Sequence, residues 1–302
     1  MSDHPRRPLP EGLRPETLAV RTALPASQHG ENSEALFLTT AYVQSDAETS
    51  ARKFSNSEDF TYSRTSNPTV RSLEARLAAL EGTEAAIATS TGMSAILLLA
   101  LGLLKAGDHV VCSRSVFGST INLFAKEFGK FGVETSFVSQ TDLAEWHAAV
   151  RPSTKLFFAE TPTNPLTEVC DIRALADMAH AAGAVLAVDN TYSTPALQRP
   201  AEMGADIVMH SATKYMDGQG RVRAPAMTRP QPADPRRVRP GAAHRGHDAR
   251  AVQCVGRAQG AGDAGPAHEG AKRAGARRGS LAGSPARSGA GVLPVVAVAP
   301  AA

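Results

Sequence analysis

An α/β fold, a mostly parallel sheet covered by helices on both faces, is the class this 302-residue sequence predicts. Two observations carry the prediction. From about Val70, apolar runs of five or six residues alternate with segments of helical spacing. The runs are also continuous rather than alternating, as strands buried on both sides require.

Each element follows from local pattern. Residues 1–60 are polar and Pro-rich, with one short apolar piece, Ala35–Tyr42, and read as an extended arm. Val70–Glu81 repeats its apolar residues at Val70, Leu73, Leu77 and Leu80, then meets Gly82, so a helix should end there. Glu84–Ala88 is a short strand, and Thr91-Gly92-Met93 opens an apolar helix over Ser94–Leu104. The alternation continues with a strand at His109–Ser113, a helix at Ser119–Phe128 and a strand at Glu134–Val138. Next come a helix at Asp142–Val150, a strand at Lys155–Glu160, a helix at Asp171–Ala182 and a strand at Ala184–Asp189. A last buried run, Ala205–Met209, leads into Ser211-Ala212-Thr213-Lys214-Tyr215.

Composition excludes several classes. Cys112, Cys170 and Cys254 form neither a disulfide framework nor a metal-ligand spacing, so no metal is expected and a reducing cytoplasm is the expected setting. The longest apolar run, Ala95–Leu104, is too short to span a bilayer. No apolar stretch follows Arg6 and Arg7, so no secretory signal is read. The formal net charge of +3 averages two unlike parts: 19 Lys+Arg against 25 Asp+Glu through residue 222, and 13 against 4 afterwards.

Chemistry concentrates where strands end, the place at which open α/β sheets bind ligands. Lys214 follows a strand and stands beside the hydroxyls of Ser211 and Thr213, while Asp189 ends an earlier strand. An amine for an aldehyde, hydroxyls for a phosphate and a carboxylate for a protonated ring nitrogen are the groups pyridoxal phosphate demands. Ser90-Thr91-Gly92-Met93 lies between strand and helix, where backbone N–H groups and the helix dipole favour a phosphate. Asn164, within Glu160-Thr161-Pro162-Thr163-Asn164-Pro165, could orient a ring hydroxyl. Each feature alone has an ordinary structural reading as a turn, cap or solvated side chain; their conjunction does not.

In these strings the chain resembles the cysteine/methionine-metabolism family of pyridoxal-phosphate enzymes, relatives of cystathionine γ-synthase. The matching residues are Tyr62-Ser63-Arg64 with Asn67-Pro68-Thr69, Leu80-Glu81-Gly82, Ser90-Thr91-Gly92-Met93, Val188-Asp189-Asn190 and His210-Ser211-Ala212-Thr213-Lys214-Tyr215. The resemblance implies the fold type I architecture of pyridoxal-phosphate transferases. It implies that Lys214 carries the cofactor as an imine and shuttles protons, and that Asp189 pairs with the ring nitrogen. Gly92 and Met93 amides with Ser211 and Thr213 hydroxyls would hold the phosphate. Tyr62 and Arg64 would reach the phosphate of a neighbouring subunit, Arg through its bidentate fork, which implies a dimer of shared sites, commonly doubled to a tetramer. Phe117 occupies the position where most of the family has a ring-stacking tyrosine, keeping the stacking area without the hydroxyl.

With Pro195-Ala196-Leu197-Gln198-Arg199-Pro200 and Asp217-Gly218-Gln219-Gly220-Arg221-Val222, the chain looks most like the O-succinylhomoserine sulfhydrylase branch. Such enzymes eliminate succinate from the γ-carbon of an amino-acid substrate and add sulfide, giving homocysteine. Cystathionine γ-synthase or methionine γ-lyase chemistry, or a non-catalytic remnant, are the alternatives.

The resemblance stops at Val222. Domains are thus expected at 1–60 (arm), 61–222 (cofactor-binding large domain, incomplete) and 223–302 (aberrant tail), with the family's C-terminal domain lost. Residues 223–302 hold 21 Ala, 12 Arg, 12 Gly and 9 Pro, and no Phe, Tyr, Trp or Ile. Such a segment cannot offset the entropy of ordering and is expected to be disordered. Without aromatics or periodicity it does not read as a nucleic-acid partner despite its charge. Codons favour an out-of-frame translation of GC-rich DNA over a plain extension: Val252–Gly256 is encodable by GTT CAA TGC GTG GGT, which one nucleotide later reads FNAWV. Ala242–Ala251 and Gly291–Pro300 likewise permit LRTAGTMLxP and VFYPWLPSHP, strings like those of the family's C-terminal half. In the shifted frame Met227-Thr228 reads through TGA, a stop, so a single slip would lie after Thr228.

Overall fold

Residues 9–24, 29–55, 60–218 and 225–229 are described by the computed structural model. The chain begins with helices α1 (Pro15–Arg21), α2 (Ala47–Ser55) and α3 (Pro68–Glu81). Asn67 caps α3 by accepting the Thr69 N–H at 2.9 Å, Pro68 presets its first turn, and Gly82 ends it at φ 70°, a conformation that favours glycine. Alternation then runs β1 (Ala85–Ala88), α4 (Gly92–Leu103), β2 (His109–Ser113), α5 (Gly118–Asn122), β3 (Glu134–Val138), α6 (Leu143–Ala148), β4 (Thr154–Glu160), α7 (Ile172–Ala181) and β5 (Val185–Asp189). A short α8 (Thr194–Leu197), β6 (Ile207–Ser211) and β7 (Pro225–Arg229) complete it. The helix expected over Ser119–Phe128 is α5 continued as a π-helical segment, Leu123–Phe128.

The seven strands form one sheet in the order β1-β7-β6-β5-β4-β2-β3. β2 through β6 pair in parallel, and β7 runs antiparallel to both its neighbours. Strand periodicity splits the core into two layers. Val110, Cys112, Leu156 and Phe158 face α4 and the π-helical segment, while Val111, Phe157, Leu186 and Val208 face α6 and α7. Each fully buried side chain of this size contributes about 1.5–3 kcal/mol, so the two-faced sheet is the main source of stability. Gly204 closes the turn before β6 at φ 104°, and a Cβ there would stand 2.8 Å from Ala176 Cβ. Only glycine fits both constraints.

Two expectations change. The N-terminal arm contains α1 and α2 and is pinned to α3 rather than simply extended. Arg76, 2% exposed, bonds Glu34 Oε1 at 3.0 Å and the Thr22 carbonyl, and Asn67 Nδ2 donates to the Phe37 carbonyl at 3.0 Å. The boundary at residue 222 also moves, because Pro225–Arg229 is the strand between β1 and β6, with Met227 and Thr228 buried. A five-residue run with one large apolar side chain carries no strand signal of its own; its two neighbours supply the ladder. β7 ends one residue past Thr228. The disorder and reading-frame expectations for the remainder of the tail fall outside the described residues. Among the described residues, no helix is long and apolar enough to cross a membrane.

Candidate active site

Strand direction gathers the chemistry at one edge. Glu160 ends β4, Asp189 ends β5, Ser211 ends β6, and Gly92 opens α4 just past β1. Parallel register sets Glu160 beside Asp189 and Asp189 beside Met209.

One side of this edge is built to receive an anion. Thr91 caps α4 by accepting the Ser94 N–H at 3.0 Å, which leaves the Gly92 and Met93 amides without intrahelical partners. Ser211 faces that helix start, since a Cβ added to Gly92 would come within 3.5 Å of Ser211 Cβ and Oγ. Ser211 Oγ and Thr213 Oγ1 are 2.7 Å apart. Lys214 follows, its amide donating to the Ser211 carbonyl at 3.3 Å and its side chain exposed. Two amides, two hydroxyls and a bare glycine make a cradle that a side chain at position 92 would fill, and a phosphate suits that donor set.

The other side holds two carboxylates. Asp189 Oδ1 accepts the Thr191 amide at 3.0 Å and the Thr191 hydroxyl at 2.5 Å. Thr191 Oγ1 in turn accepts the Ser211 N–H at 2.8 Å, tying the carboxylate to the hydroxyl cradle. Desolvation pushes the Asp189 carboxyl above the usual range, while its bonds from Thr191 and the charge of His210 pull it back. Glu160, 4% exposed, is pushed up to about 7 by burial and by Asp189, and the Phe117 amide, which donates to Oε2 at 2.7 Å, opposes this rise. A cation bound at this edge would favour the charged form of both acids.

Aromatic side chains border the same edge. Phe117 is 52% exposed at the start of α5, its backbone fixed by Glu160. Tyr192 and Tyr215 meet edge to face at 6.2 Å. Gly92, Met93, Asp189, Ser211, Thr213, Lys214 and Phe117 thus share the strand-end face. Three other expected residues do not join them by hydrogen bonds or ring contacts among the described residues. The Arg64 guanidinium lies 5.4 Å from the Tyr62 ring centroid, both residues exposed, and Asn164 is exposed on the loop after β4.

Sequence reading passed over Thr191, Tyr192 and Glu160 as separate participants, and the pairing of Glu81 with His210. Thr191 had a usable signal: a strand-end aspartate readily accepts the backbone N–H two residues on, as an Asx-turn, and a hydroxyl at that position can add a second bond. Glu81 had none, because its partners Asn190 and His210 lie 109 and 129 positions away.

Residues 16–255 match the model of a family described as Cys/Met metabolism PLP-dependent enzyme. An O-succinylhomoserine sulfhydrylase of Pseudomonas aeruginosa is 56% identical over 212 residues, 70% of this chain and 53% of that protein. An L-methionine gamma-lyase of Fusobacterium nucleatum is 39% identical over 210 residues, 69% of this chain and 53% of that protein. A crystal structure from Campylobacter jejuni carrying N'-pyridoxyl-lysine-5'-monophosphate superposes with a TM-score of 0.78 at 26% identity, covering 83% of this chain and 70% of that one. The chain spans about half the length of these curated relatives.

Proposed function

Because the chain belongs to the Cys/Met metabolism family of PLP-dependent enzymes, we propose that it binds pyridoxal phosphate at the strand-end cradle and serves γ-replacement on an activated homoserine. The observation that carries this is the continuous chain of contacts from Asp189 through Thr191 and Ser211 to Thr213, ending beside Lys214. The specific reaction is replacement on O-succinylhomoserine: the Cγ–O bond breaks, succinate leaves, and sulfide forms a Cγ–S bond to give homocysteine with no net redox change. Support comes from the 56% identity to a sulfhydrylase and from the phenylalanine at position 117.

When bound, the cofactor supplies an electron sink for charge that develops next to the substrate nitrogen. This chain's residues do the rest. Gly92 and Met93 amides with Ser211 and Thr213 hydroxyls hold the phosphate. Asp189 would hold the ring-nitrogen proton through Oδ2, its other oxygen being occupied by Thr191. Phe117 would cover a ring face and exclude water from it. Lys214, exposed just past the cradle, would hold the cofactor through its amine and would move protons between substrate carbons. Tyr62 and Arg64, exposed and in contact with each other, would reach a second copy's phosphate in a dimer of shared sites, doubled to a tetramer. Asn164 orients the ring hydroxyl. A cytoplasmic setting suits this biosynthetic role.

Testing is direct. The 302-residue chain is supplied with pyridoxal phosphate and O-succinylhomoserine, with sulfide or cysteine as nucleophile, and separately with methionine. Homocysteine and succinate with sulfide support the reading. Product only with cysteine moves the chain to cystathionine γ-synthase chemistry, and methanethiol from methionine moves it to methionine γ-lyase chemistry. No product, with the cofactor bound through Lys214, leaves a non-catalytic cofactor-binding remnant.

A further inference from the structure

Glu81 is the last residue of α3, fully buried, and it takes no direct part in the cradle. One of its oxygens, Oε1, nevertheless accepts two bonds from the strand ends: Asn190 Nδ2 at 3.1 Å and His210 Nε2 at 2.6 Å. With a carboxylate as acceptor, Nε2 is the protonated ring nitrogen, so Glu81 also sets the tautomer of His210.

From Asn190 the bonds close a loop. Asn190 Nδ2 donates to the Gln198 carbonyl at 2.9 Å, and Gln198 Nε2 returns to Asn190 Oδ1 at 3.0 Å and reaches the Thr161 carbonyl at 3.2 Å. Inside the loop, Thr194 is fully buried at φ 54°, a left-handed conformation that a β-branched residue keeps only where its surroundings dictate it. The same loop carries Thr191, whose amide and hydroxyl occupy Asp189 Oδ1. Asp189 Oδ2 is the oxygen left over.

We propose that Glu81 is a positioning residue: by gathering Asn190 and His210 at one oxygen, it fixes the loop that aims Asp189 Oδ2 at the ring nitrogen of the cofactor. The inference rests on Asp189 being the ring-nitrogen partner. Replacing the Glu81 carboxyl by an amide weakens the bonds to Asn190 and His210 together, so the loop, the rotamer of Asp189 and the field of His210 on it change at once. Outer partners of this kind are worth about 10- to 100-fold in ligand affinity where measured at metal sites, and a similar loss is expected here.

The test uses the full chain with pyridoxal phosphate and with its analogue bearing carbon in place of the ring nitrogen. Wild type, Lys214→Ala, Glu81→Gln and Glu81→Asp are titrated by absorbance, with circular dichroism to check folding. Glu81→Gln should bind pyridoxal phosphate about 10- to 100-fold more weakly, bind the analogue as wild type does, and shift the pH at which the bound cofactor's absorbance changes. Glu81→Asp should recover part of the loss. Equal weakening for both ligands, or none for either, overturns the proposal while leaving the site reading intact. A wild type that does not prefer pyridoxal phosphate to the analogue overturns both. Hydrogen exchange on the cofactor-free wild type needs no variant: the Thr191, Thr194, Gln198 and Ser211 amides should be protected before cofactor is added. Protection that arises only with cofactor overturns the proposal.

Discussion

The two ends of the sheet bury histidines in opposite ways. At the amino ends of β2, β3 and β4, His109 is fully buried with Nδ1 at 2.9 Å from Thr154 Oγ1 and Nε2 at 2.9 Å from Ser136 Oγ. Two hydroxyls satisfy a neutral ring, and burial pushes His109 below its ordinary pKa. At the carboxyl ends, His210 meets a carboxylate through Nε2, and its Nδ1, like Glu81 Oε2, has no hydrogen-bond partner among the described residues. Nearby, Asp189 and Glu160 are both pushed up. One end has resolved its polar groups with neutral partners and reads as structure. The other buries acids whose charged forms a low dielectric disfavours, and a ligand of opposite charge is worth most there.

The sharpest way to break this contrast is at Lys214. Lys214→Ala should abolish covalent capture of pyridoxal phosphate, read as loss of borohydride-fixed cofactor on the chain by mass spectrometry. The thermal unfolding midpoint of the cofactor-free protein should hardly move, because the side chain is exposed. Capture that persists in this variant would take the lysine out of the site.

Next in size is Glu160. Its folded-state pKa is about 7 against an unfolded value of 4.5. Between those values the folded state binds more protons than the unfolded one, so Glu160 lowers stability as pH rises from about 4.5 to 7. The full effect is on the order of 3 kcal/mol, and Glu160→Gln should remove it. Urea melts of cofactor-free protein at a series of pH values measure it. Curves for wild type and variant that stay parallel across this range would deny the carboxylate its buried, crowded setting.

Much of the architecture was legible because its signals are local. Continuous runs such as His109–Ser113 gave strands within a residue of the observed bounds, except that the run expected at Ala205–Met209 forms its strand two residues later, and Thr91, Asp142 and Asp171 sit as caps where helices were expected to begin. That Asp189, Ser211, Thr213 and Lys214 lie at one edge was legible for the same reason: topology alone sends parallel strand ends there. Strand β7 was not legible, since its five residues borrow their order from β1 and β6. Nor was the support behind the site. Glu81, Asn190 and His210 meet only after α3 packs against the sheet, and no spacing in the chain announces a contact between positions so far apart.

His109 supplies a smaller effect of opposite sign. Its folded pKa is lowered, by burial first and then by Arg151, so below about 6.5 the unfolded state binds the extra proton. Stability from His109 is therefore present above that pH and lost as pH falls toward the folded value. Glu160 acts in the reverse direction over the same interval, so the wild-type profile between about pH 5 and 6.5 should be flatter than either variant's. Glu160→Gln should slope upward with pH and His109→Gln downward. Pyridoxal phosphate affinity should fall only in the first, because His109 sits at the far end of the strands. A His109→Gln variant that weakened cofactor binding while folded would dissolve the distinction between the ends.

The smallest effect tests whether surface charge contributes to that distinction. Arg151 pairs with Glu134 beside His109, with side chains 46% and 71% exposed. Exposed pairs contribute about 0–1 kcal/mol and are screened by salt, so Arg151→Gln should change unfolding free energy within that range. The Arg151 cation also disfavours a protonated His109, while Glu134 favours it. Removing the arginine should therefore raise the His109 pKa toward its ordinary value and weaken the loss of stability on the acid side, most visibly at low ionic strength. NMR titration of the imidazole with and without added salt measures this shift. If the ring titrates identically in wild type and variant, burial and the two hydroxyls alone keep His109 neutral. The amino end would then owe its quietness entirely to its interior, with the surface pair left as a solvated decoration of β3.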